Sequence, residues 1–368
     1  GPQYTEPNSN LRKLNDPMSK QYQRPRTQIG IALGAGVARG WAHIGVLRVL
    51  QDAGVVPDIV SGTSIGALVG GCHVAGKLEP LEEFARSLTR RRLLGLVDFR
   101  FRASGLIGDS KLEGILYKYL GGLQIENMER TFVAVATELS TGHEVWMRDG
   151  SLVQALRASY ALPGVFAPVA IDNRWLIDGA VVNPVPVSVA RALGARLVIA
   201  VNLNTDPFDP ATRRNFAEGA NPFYVPSAPA SRVEPEMEDE IASLIGQSAN
   251  SNEAPSDENS AIMEGIKSTL SKIRGAKRTP EREIVKRAIG STDRGPGFAS
   301  VLLASLNIVQ DRLARARLAS DPPDVVIAPK IGHLTLLEFD RADELIKRGE
   351  EAAEEALPKI RETMGLLT

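Results

Sequence analysis

Three short stretches of this chain carry residues able to do chemistry together. The first is Gly62-Thr63-Ser64-Ile65-Gly66, a serine with a glycine two residues to either side. That spacing permits a tight, strained turn between a strand and a helix, which lifts the hydroxyl clear of a sheet as a nucleophile. The second is Gly34-Ala35-Gly36-Val37-Ala38-Arg39-Gly40, a glycine loop between an apolar strand and a helix. Main-chain N–H groups converge in such a loop at a helix N-terminus, where negative charge is favoured. A nucleotide phosphate or the oxyanion of an acyl-transfer intermediate would suit it. The third stretch is Asp178-Gly179-Ala180, whose carboxylate ends a strand and could accept a proton.

A dinucleotide site wants G-x-G-x-x-G and an acidic residue about 20 positions on, after the second strand. Here the third glycine falls one place late, Asp58 precedes Ile59-Val60 instead of following it, and the Walker pattern is absent. A strand tipped with a candidate nucleophile follows the loop directly, so the oxyanion reading is preferred. Ser64 needs a base, because a serine hydroxyl is a poor nucleophile until its proton is being removed. The hydrolase order Ser, Asp, His would give Ser64, Asp178 and His333. The alternative is a dyad in which Asp178 takes the proton directly. That asks more of a carboxylate with an ordinary pKa of about 4, unless desolvation raises it. His43 and His73 fall inside helical stretches and read as packing or surface residues, and His143 sits in the turn at Ser140-Thr141-Gly142. Triad and dyad both remain open on these residues alone.

Positioning the three stretches requires alternating strands and helices. Apolar runs at 28–33, 57–60, 131–137, 174–178, 196–202 and 324–329 read as strands. Helical patterning covers 41–50, 67–72, 81–88, 111–117, 151–159, 185–193, 298–318 and 339–357. In 298–318, Phe298, Leu302, Leu306, Val309 and Leu313 fall on one side. The alternation predicts an α/β fold with a mainly parallel sheet covered on both faces and its site at the strands' carboxyl ends. Residues 1–27 read as a flexible polar tail, with Gly1-Pro2 resembling a protease scar, and 28–204 as the catalytic core. Residues 205–297 read as a polar, partly disordered insertion, and 298–368 as the helix, last strand and last helix that complete the domain. Whether the insertion forms a lid, a membrane anchor or a partner site stays open.

Composition bounds the partners. A net charge of −1 over 368 residues gives no global attraction to nucleic acid or anionic lipid, so nucleic acid is not an expected partner. Local basic clusters, Arg90-Arg91-Arg92 and the lysines and arginines of 262–290, could touch an anionic membrane peripherally. Cys72 is the single cysteine, so no internal disulfide forms and a reducing compartment fits. No stretch approaches the roughly 18 uninterrupted apolar residues of a membrane span, and no signal-peptide core is present. The expected location is the cytoplasm, with the inner membrane as a peripheral site. Oligomeric state is left open.

Taken in order, the glycine loop, Gly62-Thr63-Ser64-Ile65-Gly66 and Asp178-Gly179-Ala180 resemble the three signatures of patatin-like phospholipases. Ala158-Ser159-Tyr160-Ala161-Leu162-Pro163-Gly164-Val165-Phe166-Ala167-Pro168 also resembles the family's stretch before its aspartate. The likeness is strongest to bacterial proteins related to the catalytic domain of neuropathy target esterase, over about 28–204 and again about 322–357. It implies a three-layer α/β/α hydrolase that releases fatty acids from phospholipids or lysophospholipids. It also implies a Ser64–Asp178 dyad with no catalytic histidine, no metal and no cofactor, which leaves His333 a structural role. An oxyanion hole from Gly34, Gly36, Val37 and Ile65 is implied as well, with Arg39, Gly40, Gly62, Gly66 and Gly179 supporting the motifs. Ala35 and Val37 replace glycines of a longer run in many members, which leaves the N–H donors in place but stiffens the loop. Arg39 is expected to fix the loop, the alternative being a phosphate contact.

Overall fold

In the computed structural model, the residues described are 28–88, 109–204, 291–292, 295–296 and 298–367, apart from 335 and 337. The polar tail, the arginine cluster at 90–92 and the insertion as far as 290, with its basic segment at 262–290, lie outside the described residues.

Strand β1 (Ile29–Leu33) is wholly buried and runs through the glycine loop into a 3-10 turn, Val37–Trp41, and helix α1 (Ala42–Asp52). Strand β2 (Ile59–Thr63) leads through Ser64 to α2 (Ile65–Val74), every residue of which is buried, and α3 (Leu78–Ser87) follows. Helix α4 (Asp109–Leu120) precedes β3 (Thr131–Glu138), β4 (Glu144–Met147) and α5 (Leu152–Ser159). A hairpin of β5 (Val169–Ile171) and β6 (Arg174–Asp178) then gives way to α6 (Val187–Ala192) and β7 (Leu197–Val201). A two-residue ribbon, β8 (Ser291–Thr292) with β9 (Gly295–Pro296), precedes α7 (Phe298–Ser320), β10 (Val325–Ile327) and α8 (Ala342–Leu367).

The main sheet has the order β10-β7-β1-β2-β3-β6-β5, with β4 also on β3. Strands β10, β7, β1, β2 and β3 pair in parallel, whereas β6, β5 and β4 are antiparallel. The expected mainly parallel sheet is therefore present, with an antiparallel edge that apolar runs alone do not reveal. Both β4 and β5 escape the sequence pattern because they are short and half exposed.

One face of the sheet packs the larger core, in which Ile31, Leu33, Leu47, Leu50, Phe132 and Leu176 are among the buried residues. The other face is shallower. There Ala32, Val198, Ala200, Val187, Ala190 and Ala314 meet, so α6 and α7 approach over small side chains. On the apolar side of α7, Leu302, Leu306 and Leu313 are half-buried but Val309 is 54% exposed, and among the described residues of this helix Gln310 and Ala314 are the buried ones. A shallow layer rewards small residues at the contact and leaves bulky ones outside.

Helix α8 runs past the expected stop at Pro358, which lacks an N–H for the helix ladder. Ile360, fully buried, anchors the turns beyond it. The same helix packs on α1 through reciprocal glycines. A Cβ on Gly45 would strike the Ile346 carbonyl, and one on Gly349 the Ala42 carbonyl, so the two backbones touch where neither has a side chain.

Candidate active site

Ser64 stands between β2 and α2 with φ 59° and ψ −126°, a backbone state costing about 1–3 kcal/mol for a non-glycine residue. The flanking glycines make the elbow sterically feasible: a Cβ on Gly62 would lie 2.5 Å from the Ala67 Cα, and one on Gly66 would strike the Leu33 carbonyl. Gly40 and Gly179 are crowded likewise, by the Ile65 side chain and the Val135 carbonyl. The elbow thus sits hard against the glycine loop, and the turn after Asp178 sits hard against β3.

Strand β3 brings Asp178 to Ser64. Its residues Thr131 to Val135 pair with β2, and Ala134 to Thr137 pair with β4, so β2 and β4 occupy opposite edges. Residues Ala136 to Glu138 pair with β6, which must then lie on the same edge as β2 because β4 fills the other. Strand β2 ends opposite Val135 and β6 ends opposite Ala136. The two strands abut head to head, and Ser64 and Asp178 meet at the junction.

The Ser64 hydroxyl donates to Asp178 Oδ2 at 2.6 Å, and the Ala180 N–H donates to Oδ1 at 2.8 Å. The Asp178 backbone is held as firmly: its N–H donates to Ala161 O at 3.0 Å, and its carbonyl accepts from Thr137 Oγ1 at 2.9 Å. Asp178 is fully buried. Burial is the dominant influence and pushes its carboxyl up to about 7, against the opposing hydrogen bonds from Ser64 and Ala180. The desolvation that the dyad reading requires is therefore built into the site.

In the glycine loop, Gly34 was expected among the oxyanion donors, but its N–H donates to Val201 O at 3.0 Å. Its carbonyl accepts from His43 Nε2 at 2.7 Å. A carbonyl can only accept, so Nε2 carries the proton; burial holds His43 down at about 4 and keeps the ring neutral. Gly34 is an anchor, and His43 its buttress. The N–H groups of Ala35, Ala38 and Arg39 are also engaged, with Pro184, Leu336 and Gly36 carbonyls. Among the described residues, the amides of Gly36, Val37 and Ile65 have no acceptor. Val37 pays for its place with φ 52°, rare for a β-branched residue.

Arg39 is 4% exposed and donates from Nη2 to Asn307 Oδ1 at 3.0 Å, tying the loop to α7. Burial lowers it to about 10, with Asp311 opposing, so it is cationic at neutral pH. His333 lies elsewhere: its Nε2 is 2.6 Å from Glu344 Oε1 on α8. Asp58 accepts the Ile29 N–H at 2.9 Å, at the opposite end of the strands from the loop. Of the other histidines, His73 contacts Arg130 at 3.2 Å, and burial lowers it to about 4. Two cavities of the described surface, about 300 Å³ beside Asn183 and Arg317 and about 460 Å³ beside His73 and Arg130, do not include Ser64.

Sequence reasoning missed Ser159, Thr137 and the buttressing role of His43. Ser159 belongs to the stretch preceding the aspartate, but nothing in its type or spacing marks its task.

The site and fold place this chain in a recognisable class: residues 31–191 match the patatin-like phospholipase family model. An uncharacterized NTE family protein of Mycobacterium tuberculosis is 34% identical over 333 residues, covering 90% of this chain and 91% of that protein. Human patatin-like phospholipase domain-containing protein 6 is 32% identical over 184 residues, covering 48% of this chain and 13% of that protein. The crystal structure of VipD from Legionella pneumophila aligns with 91% of this chain and 67% of that chain, at 12% identity and a TM-score of 0.41. The chain belongs to the NTE family of patatin-like phospholipase domain proteins.

Proposed function

We propose that this protein is a serine lipid acyl hydrolase that releases fatty acids from phospholipids or lysophospholipids through Ser64 and Asp178. The observation that carries the reading is the 2.6 Å hydrogen bond from the Ser64 hydroxyl to a buried carboxylate raised to about 7. Family membership supports a lipid ester as the substrate class.

In this reading, Asp178 Oδ2 takes the Ser64 proton as Oγ attacks the acyl carbonyl. A base matched to neutral pH gives both a useful ionised fraction and a useful affinity for the proton. Negative charge developing on the carbonyl oxygen is met by the unengaged amides of Gly36, Val37 and Ile65, the last at the start of α2 where the helix dipole assists. Asp178 then protonates the leaving alkoxide. Water, deprotonated by the same carboxylate, attacks the acyl-serine and frees the fatty acid. His333, paired with Glu344, has no part in these steps.

The test is fatty-acid release from phosphatidylcholine and lysophosphatidylcholine by the wild type and Ser64→Ala, with products identified by mass spectrometry. Equal release by both proteins removes the hydrolase reading. Hydrolysis confined to short-chain esters would assign a carboxylesterase or thioesterase instead. A folded wild type inert to a fluorophosphonate would mark a non-catalytic binder. Among the described residues no helix is long and apolar enough to cross a membrane. Any membrane contact at a peripheral site is therefore to be measured separately, by vesicle sedimentation.

A further inference from the structure

Ser159, the last residue of α5, is fully buried and makes two hydrogen bonds through one hydroxyl. Its Oγ accepts from the Ser64 backbone N–H at 2.9 Å and donates to the Val135 carbonyl at 2.6 Å. The placement is informative because Thr63 and Val135 form the last register pair between β2 and β3. In a continued parallel ladder the Ser64 N–H, one residue beyond that pair, is in register to donate to the Val135 carbonyl. A side-chain hydroxyl from a third element stands between them instead.

We propose that Ser159 is a positioning residue that ends the β2 ladder by relaying its next hydrogen bond, and so holds the nucleophile elbow open for reaction. The hydroxyl separates the Ser64 amide from β3 while leaving neither the N–H nor the carbonyl without a partner. Direct pairing would draw Ser64 along the strand, toward the position where β6 abuts β2. With the relay in place, the chain takes up φ 59° at Ser64 and the side chain faces Asp178.

The relay also assigns the Ser64 N–H. Already donating to Ser159, it is not a donor to the oxyanion, which restricts that task to the amides of Gly36, Val37 and Ile65. Thr137 braces Asp178 from the same strand, so β3 holds both partners, one through a relayed bond and one directly.

The catalytic part of this inference rests on the hydrolase reading; the structural part does not. Ser159→Ala removes the relay. We expect kcat to fall about 10- to 100-fold, the scale of a small misplacement of reacting groups, with KM within about threefold. The pH midpoint of kcat should not move, because the hydroxyl touches neither Asp178 carboxylate oxygen. Hydrogen exchange at the Ser64 amide, followed by NMR or resolved mass spectrometry, should quicken about 10-fold or more. If Ser159→Ala does not fold, Ser159→Cys keeps nearly the same volume with a far weaker donor and acceptor and carries the same expectations. A folded variant with wild-type amide exchange, or with faster exchange and unchanged kcat, overturns the proposal. So does a kcat loss that disappears once the unfolded fraction is accounted for. Should Ser64→Ala hydrolyse lipid as fast as the wild type, the hydrolase reading fails, and amide exchange alone still decides whether Ser159 holds the elbow.

Discussion

Replacing Asp178 by asparagine should give a protein that is inactive yet more stable, and the gain should depend on pH in a set way. The carboxyl has a pKa of 3.8 in the unfolded chain and about 7 in the folded one, with burial as the main cause. An acid whose pKa rises on folding binds its proton more tightly in the folded state. Stability is then undiminished below about 4, declines as pH climbs through the window from 3.8 to about 7, and levels off above it. The window spans roughly three pH units at about 1.4 kcal/mol each, so the ionised carboxylate costs about 4 kcal/mol at pH 8. Asparagine carries no such cost and keeps an acceptor for the Ala180 N–H. Denaturant unfolding of wild type and Asp178→Asn at intervals from pH 4 to 8 should therefore show curves that meet near pH 4 and separate by about 2–4 kcal/mol at pH 8. Acid titration of other carboxylates is common to both proteins and cancels in the difference. A gap that is flat with pH, or a wild type more stable than the variant at pH 8, would refute the claim that desolvation of this carboxylate sets its basicity.

Four further outcomes follow from the same geometry. Wild-type kcat/KM should rise with pH through a midpoint of about 7, since only the ionised Asp178 accepts the serine proton; a midpoint near 4 would place the base in solvent. Ser64→Ala should lose at least about a thousandfold in turnover and all fluorophosphonate labelling while melting normally. His333→Ala should keep turnover within about threefold of wild type and lose about 0–1 kcal/mol of stability with the Glu344 contact; a collapse of activity would restore the triad. Gly349→Ala should destabilise the fold by about 1–3 kcal/mol by forcing α8 off α1, read as a lowered denaturation midpoint.

The parts of this fold legible in the sequence are those written in local pattern. Ile29–Leu33 and Leu197–Val201 are unbroken apolar runs because parallel central strands are buried on both faces, and they are found easily. The elbow was legible because close backbone approach demands glycine at Gly62 and Gly66. What stayed hidden is whatever depends on register between distant segments. That Asp178 reaches Ser64 is fixed by adjacent positions on β3, Val135 and Ala136, whose own residue types say nothing about it. Gly34 was misread as a donor because a glycine loop announces available amides without saying which of them the neighbouring β7 engages. The long helix α7 was found, but the burial of Gln310 and Ala314 and the exposure of Val309 were not, since hydrophobic spacing cannot foresee a shallow face lined by alanines.

The head-to-head meeting of β2 and β6 on one edge of β3 also orders events in time. The serine arrives early in the chain on a parallel strand, and the aspartate arrives more than a hundred residues later on an antiparallel one. Neither has a reactive partner until both strands are in register on β3. On the proposed mechanism, competence to react with a fluorophosphonate is thus acquired only when the non-local pairing of the sheet is complete, after the local helices have had time to form. Added at intervals during refolding, such a probe would act as a clock for the slowest contact in the domain, marking each molecule at the moment its sheet closes.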